Sequence, residues 1–152
     1  MIEVELFSPA HAEAFARLNR EWIERLFSVE AEDERLFADP AREIVDAGGQ
    51  IFFAIEAGRV LGTAALIVHG SDAFELAKMA VTPAAQGRGI GRLLMNRAID
   101  YARGLGKREL MLITNSALTP ALTLYRSVGF ERLPDLKDKR FARGDVEMVL
   151  HL

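Results

Sequence analysis

No cysteine occurs among the 152 residues. That absence excludes disulfides, thiolate catalysis and zinc ribbons together, and it fits a reducing, cytoplasmic compartment. Histidine is scarce: His11, His69 and His151 lie far apart, with no His-x-x-x-His pair or carboxylate-rich loop beside them, so no metal is expected. A Gly-x-Ser-x-Gly elbow is also missing. Long hydrophobic runs are lacking. The longest apolar stretch, Val60 to Val68, is interrupted by Gly62 and Thr63, falls far short of the roughly 20 residues of a membrane helix, and reads as a buried strand. Met1 to Phe7 carry no basic leader and read as a strand, not a signal peptide. Excess charge of one sign is absent too. Nineteen Lys and Arg against 22 Asp and Glu leave a net −3, too mild to predict a general attraction to nucleic acid or a membrane.

What is present suits one globular domain over residues 1–152: half of the residues are hydrophobic and 27% charged, enough to fill a core. Ile2 to Phe7 reads as a strand. Ser8-Pro9 then caps a helix whose apolar positions Ala12, Phe15, Leu18, Trp22, Ile23 and Leu26 recur at helical spacing. After the acidic run Glu30 to Glu34, Asp39-Pro40 opens a second helix, stopped near Ala47 by Gly48-Gly49. Ile51 to Glu56 and Val60 to Val68 form a hairpin across Ala57-Gly58-Arg59, and Phe74 to Val81 adds a third strand, ended by Thr82-Pro83. A helix follows with Ile90, Leu94, Ala98, Tyr101, Ala102 and Leu105 on one face, closed by Gly104 and Gly106. Glu109 to Thr114 is a strand, Pro120 to Val128 a helix ended by Gly129, and Phe130 to Leu133 and Val146 to Leu152 are the last strands. Lys137 to Arg140 reads as a charged, solvated turn. The order β-α-α-β-β-β-α-β-α-β-β indicates an α+β or mixed-sheet domain.

The sharpest local feature is the strand Phe74 to Val81 running into Gln86-Gly87-Arg88-Gly89-Ile90-Gly91 and straight on into a helix. Three glycines let the main chain approach a ligand closely, and the helix start adds about half a unit of positive charge, so the turn suits a phosphate or pyrophosphate. Charge agrees: from Gln86 to Arg108 there are six basic residues and one acid, Asp100. The spacing is neither the P-loop nor the dinucleotide Gly-x-Gly-x-x-Gly pattern.

That hexapeptide, following Val81-Thr82-Pro83, resembles the Arg/Gln-x-x-Gly-x-Gly/Ala signature of the GNAT (Gcn5-related N-acetyltransferase) superfamily. Ile113-Thr114-Asn115 and the stretch Pro120 to Phe130, an Ala-x-x-x-Tyr helix ending in Gly-Phe, resemble that family's second signature. The resemblance covers about Phe74 to Phe130 and is generic in the first half, although Leu18 to Trp22 and Arg143 to Met148 also resemble small bacterial members. It implies the acyl-CoA N-acyltransferase fold, an α+β (mixed α/β) domain. Its sheet would be mixed and mostly antiparallel, with about seven strands splayed between strands 4 and 5, flanked by about four helices. It further implies acetyl-CoA (coenzyme A) as cosubstrate and no metal. Gln86, Gly87, Arg88, Gly89, Ile90, Gly91 and Arg92 would bind the pyrophosphate. Met79, Ala80 and Val81 would lie along the pantetheine arm, with Asn115 touching it from the facing strand.

The implied reaction is N-acetyl transfer to a primary amine of a small molecule or protein, by direct attack in a ternary complex. It needs a base, a held oxyanion and a proton for the departing thiolate. In this family the tyrosine matching Tyr125 protonates the sulfur; the other reading is an aromatic that packs the helix. Strand alternation puts Glu75 on the same face as Ala77, Met79 and Val81, which makes it the candidate base, with ordered water or a plain salt-bridge partner as alternatives. A bulge would upset that parity. Lys78, on the opposite parity, reads as a surface or structural charge. Glu21 to Asp46 carries nine acids against three arginines, which either draws a cationic amine to the acceptor pocket or forms a solvated outer face; Asn19 and Trp22 are candidates to line that pocket. A non-catalytic acyl-CoA-binding module of the same fold is the alternative function. The C-terminal strand is a candidate edge for a homodimer.

Overall fold

The computed structural model describes residues 1–134, 136 and 142–152. The strands are β1 (Glu3–Leu6), β2 (Gln50–Glu56), β3 (Arg59–His69), β4 (Ala73–Val81), β5 (Glu109–Thr114), β6 (Glu131–Arg132) and β7 (Val146–His151). They form one sheet in the order β1-β2-β3-β4-β5-β7-β6. Every pairing is antiparallel except β4 with β5, which are parallel and joined through helix α3 (Ile90–Gly104). A parallel pair needs such a crossover, and an amphipathic helix supplies it while covering one face of the sheet. The other helices are α1 (Ala12–Leu26), α2 (Ala31–Ala38) and α4 (Thr119–Val128).

Alternation along β2 feeds two cores. Phe52 and Ala54 turn toward α3 and pack with Leu66, Phe74, Leu94 and Leu110. Ile51, Phe53 and Ile55 turn the other way, onto Phe15 and Ile23 of α1 and Leu36 of α2. Gly62 on β3 allows α3 to sit close, because a Cβ there would lie 3.0 Å from Ile90 Cγ2 and 3.1 Å from Leu94 Cδ1. The β2–β3 hairpin turns at Ala57 and Gly58, both at positive φ, as a two-residue turn of this hand requires. Gly129, at φ +116, ends α4 while the Phe130 amide donates back to the Tyr125 carbonyl at 3.0 Å.

Four readings of the sequence are corrected. Ser8 makes no side-chain cap; a short 3₁₀ turn, Pro9–His11, leads into α1 instead. The acidic run Glu30 to Glu34, to which the sequence assigns no helix of its own, caps and starts α2, where Asp33 Oδ2 accepts from the Glu30 amide at 2.9 Å and three acids meet the positive end of the helix. The helix expected from Asp39 to Ala47 is a π turn, Ala41–Val45, although Asp39 does cap it by accepting from the Arg42 amide. Leu105, assigned to the apolar face of α3, is exposed beyond the helix end. The charged turn Lys137 to Arg140 lies outside the described residues.

Candidate active site

β4 and β5 start together and then part. Ala73, Phe74 and Glu75 pair with Glu109, Leu110 and Met111, and no pairing between the two strands follows. The edge of β4 beyond Glu75 therefore offers main-chain donors and acceptors to whatever enters from the β5 side. On its other side β4 carries one extra residue, since the register passes from Ala65–Ala77 to Thr63–Ala80. Lys78 absorbs this bulge at φ +53, a backbone conformation that costs a non-glycine residue on the order of 1–3 kcal/mol.

The bulge overturns the parity read from the sequence. Met79 and Val81 turn to the α3 core, while Glu75, paired with Ile67, stays on the α1 face. Lys78 joins that second face and is no surface charge: its side chain is 6% exposed, and its ammonium meets Asp33 Oδ1 at 2.5 Å. Asp33, fully buried, also receives both arms of Arg143, at 2.6 and 2.7 Å, and Arg143 reaches Glu30 at 3.0 Å. Burial would raise the Asp33 carboxyl, but hydrogen bonds from Arg143 and Lys78 outweigh it and hold the pKa at about 2. Burial lowers the Lys78 pKa, an effect that Asp33 opposes. This cluster ties α2, the bulge and the segment before β7 into one unit beside the opening.

At the end of β4 the glycine loop turns toward the same opening. Gly87 and Gly89 have φ of +84 and +78, where L side chains are strained, and nothing lies within 4 Å of a Cβ built at either. No side chain caps α3, so its first amides remain available to an anion. Arg92 donates to Ser127 Oγ at 2.8 Å, holding α4 against α3. Arg88 points elsewhere, in a two-armed pair with Glu56 at 2.7 and 3.1 Å.

A cleft of about 780 Å³ runs through the splayed strands. It is lined by Glu75, Met79, Ala80, Val81, Gln86, Gly87, Gly89, Ile90, Gly91, Arg92, Asn115 and Tyr125, so of the catalytic and coenzyme-binding residues singled out in the sequence Arg88 alone stands outside its wall. Tyr125 projects from α4 beside Phe130, ring centroids 6.0 Å apart, and burial pushes its phenol up to about 12. Asn115 lines the cleft while its amide grips the neighbouring loops, donating to the Arg143 carbonyl at 2.6 Å and accepting from the Ala117 amide at 2.8 Å. Trp22 lines the cleft as well, its indole donating to the buried Asn19, which does not.

None of the nine acids between Glu21 and Asp46 lines the cleft. Glu34 pairs with Arg20, Glu32 and Glu43 with Arg35, and Asp39 with Arg42, on the outer surface. Sequence reading missed Asp33, Arg143 and Arg25 as site residues. One signal pointed to Arg143, its place in a segment resembling small bacterial relatives; nothing distinguished Asp33 from eight neighbouring acids. Among the described residues there is no cluster of three metal-ligating side chains and no helix long and apolar enough to cross a membrane.

Comparison with known proteins agrees with this geometry. The model of the acetyltransferase (GNAT) family matches residues 14–130. The uncharacterized N-acetyltransferase YjgM of Escherichia coli is 30% identical over 128 residues, 79% of this chain and 76% of that protein. A mycothiol acetyltransferase of Pseudarthrobacter chlorophenolicus is 39% identical over 92 residues, 57% of this chain and 28% of that one. The chain spans about a third of the length of the mycothiol acetyltransferases it matches. The structure of yncA from Salmonella typhimurium, solved with its cofactor acetyl-CoA, superposes with a TM-score of 0.76 at 26% identity, covering 100% of this chain and 94% of that one.

Proposed function

Because the chain belongs to the acetyltransferase (GNAT) family, we propose that it transfers an acetyl group from acetyl-CoA to a primary amine by direct attack in a ternary complex. One observation carries this reading: a single cleft is lined by the open-amide glycine loop, the unpaired edge of β4, Glu75 and Tyr125. The yncA complex supports acetyl-CoA as the donor. The loop from Gln86 to Gly91, with Arg92, would hold the pyrophosphate through amides, and Arg88 would stiffen the loop through Glu56. Met79, Ala80 and Val81 would pair with the pantetheine amides, with Asn115 on the facing side.

The donor supplies an activated thioester; the chain must deliver a neutral amine and manage two protons. Glu75 accepts the amine's proton, directly or through water, as the new C–N bond forms. Tyr125 is neutral at pH 7 and faces the breaking C–S bond. Burial favours the neutral phenol, so Tyr125 keeps its proton until negative charge develops on the departing sulfur. Tyr125 therefore hydrogen-bonds the developing thiolate and gives it its own proton, and is then reprotonated from solvent, to which Glu75 releases the proton taken from the amine. The net result is amide plus free thiol.

The test is thiol release from acetyl-CoA in the presence of amines, with Tyr125→Phe and isotherms for acetyl-CoA alongside. Amine-dependent release that Tyr125→Phe lowers while affinity stays within about twofold supports the reading. Tight binding with no release from any amine would instead identify an acyl-CoA-binding module.

A further inference from the structure

The acceptor end of the cleft presents a distinctive set of charges. Besides Arg92 at the loop, its charged lining residues are Glu75, Lys78, Arg143 and Arg25. The carboxylates that serve Lys78 and Arg143, Asp33 and Glu30, lie behind the wall and do not line it. Arg25, on the last turn of α1, is exposed and forms no ion pair among the described residues. Beside it stand Trp22, Phe27 and Leu26, the last an apolar side chain left 54% exposed at this end of the cleft.

Taking the acetyl-transfer reading as its basis, we infer that the acceptor is a small amine bearing its own carboxylate and an apolar body, an apolar α-amino acid in chemical class. Of the three cations in this wall, Lys78 and Arg143 are neutralised by Asp33 and Glu30, which leaves the exposed Arg25 guanidinium to favour an acceptor that carries a carboxylate over a plain or polycationic amine. An amino acid is matched: its ammonium faces Glu75, its carboxylate faces the Arg25 guanidinium, whose planar fork fits a carboxylate, and its side chain lies on Trp22, Phe27 and Leu26. Glu32, Glu34, Asp39 and Glu43, part of the segment read from sequence either as drawing a cationic amine or as a solvated outer face, pair with arginines on the outer surface.

The inference is tested with leucine, leucine methyl ester, isoamylamine and a Leu-Gly dipeptide as acceptors, scored by kcat/KM for thiol release in the wild type, Arg25→Ala and Arg25→Lys. Arg97→Ala, an exposed cation on α3, serves as control. Free leucine is expected to exceed its ester and isoamylamine by roughly tenfold or more, as an arginine–carboxylate contact of this kind supplies. That ratio should fall toward one in Arg25→Ala, be partly kept in Arg25→Lys, and be unchanged in Arg97→Ala. Equal or better use of the ester, of isoamylamine or of the dipeptide overturns the inference, as does an unchanged ratio in Arg25→Ala. Activity with other amines alone defeats the acceptor class but leaves acetyl transfer standing, whereas failure to bind acetyl-CoA defeats the underlying reading.

Discussion

Replacing Asp33 by asparagine would strand two cations inside the molecule. The carboxylate is fully buried and bonded to Lys78 and to both arms of Arg143, and removing one member of such a group leaves uncompensated charge that costs about 3–5 kcal/mol. An exposed pair would cost under about 1 kcal/mol. The ionisation also sets a pH dependence. A carboxyl held at about 2 against an ordinary 3.8 contributes about 2 kcal/mol of stability. Because its folded pKa is depressed, this contribution is present above pH about 4 and fades as pH falls through 2. Urea denaturation of wild type and Asp33→Asn at pH 7, repeated down to pH 2.5, reads both effects. The expected loss is several kcal/mol at pH 7, narrowing toward acid. Adding Lys78→Met should recover part of it by removing one stranded charge. A loss below 1 kcal/mol that does not vary with pH would refute the buried-cluster argument.

Other consequences are testable in the same preparations. Glu75→Gln should lower kcat by about 10²–10⁴ while acetyl-CoA affinity is retained, as removal of a general base does; steady-state kinetics and isotherms separate the two. Arg92→Ala should weaken acetyl-CoA by roughly tenfold and flatten the salt dependence of binding, since a cation near the pyrophosphate is lost. Gly62→Val should cost about 1–3 kcal/mol in a thermal or urea melt, because its Cβ meets Ile90 and Leu94 at 3.0 and 3.1 Å.

Local signals carried the fold where they were unambiguous. Gly58, Gly89 and Gly129 each fall at the positive-φ position that the turn, helix start and helix end require. The long apolar stripes of α1 and α3 pack as their spacing indicates. The bulge in β4 was illegible, because Lys78 has no residue type that announces a left-handed backbone; it is held there by Asp33, 45 residues away in sequence. That one long-range contact reverses the faces of Met79 and Val81 relative to Glu75 and buries a lysine that alternation placed outside. Helix α2 was hidden for a related reason. Its acids look like a solvated run, and burial of Asp33 becomes visible only with Arg143 brought in from the far end of the chain. The glycine loop is the opposite case, since backbone amides at a helix start depend on local sequence alone.

The most direct test of the account is calorimetric titration of the protein and of Gly89→Glu with acetyl-CoA. Gly89 sits at φ +78 where the loop meets α3, so glutamate adds both backbone strain and a negative charge at the place assigned to the pyrophosphate. The account predicts saturable binding at one site per chain, abolished in a Gly89→Glu variant that keeps its fold. Equal binding by that folded variant, or no binding by the wild type, would contradict it.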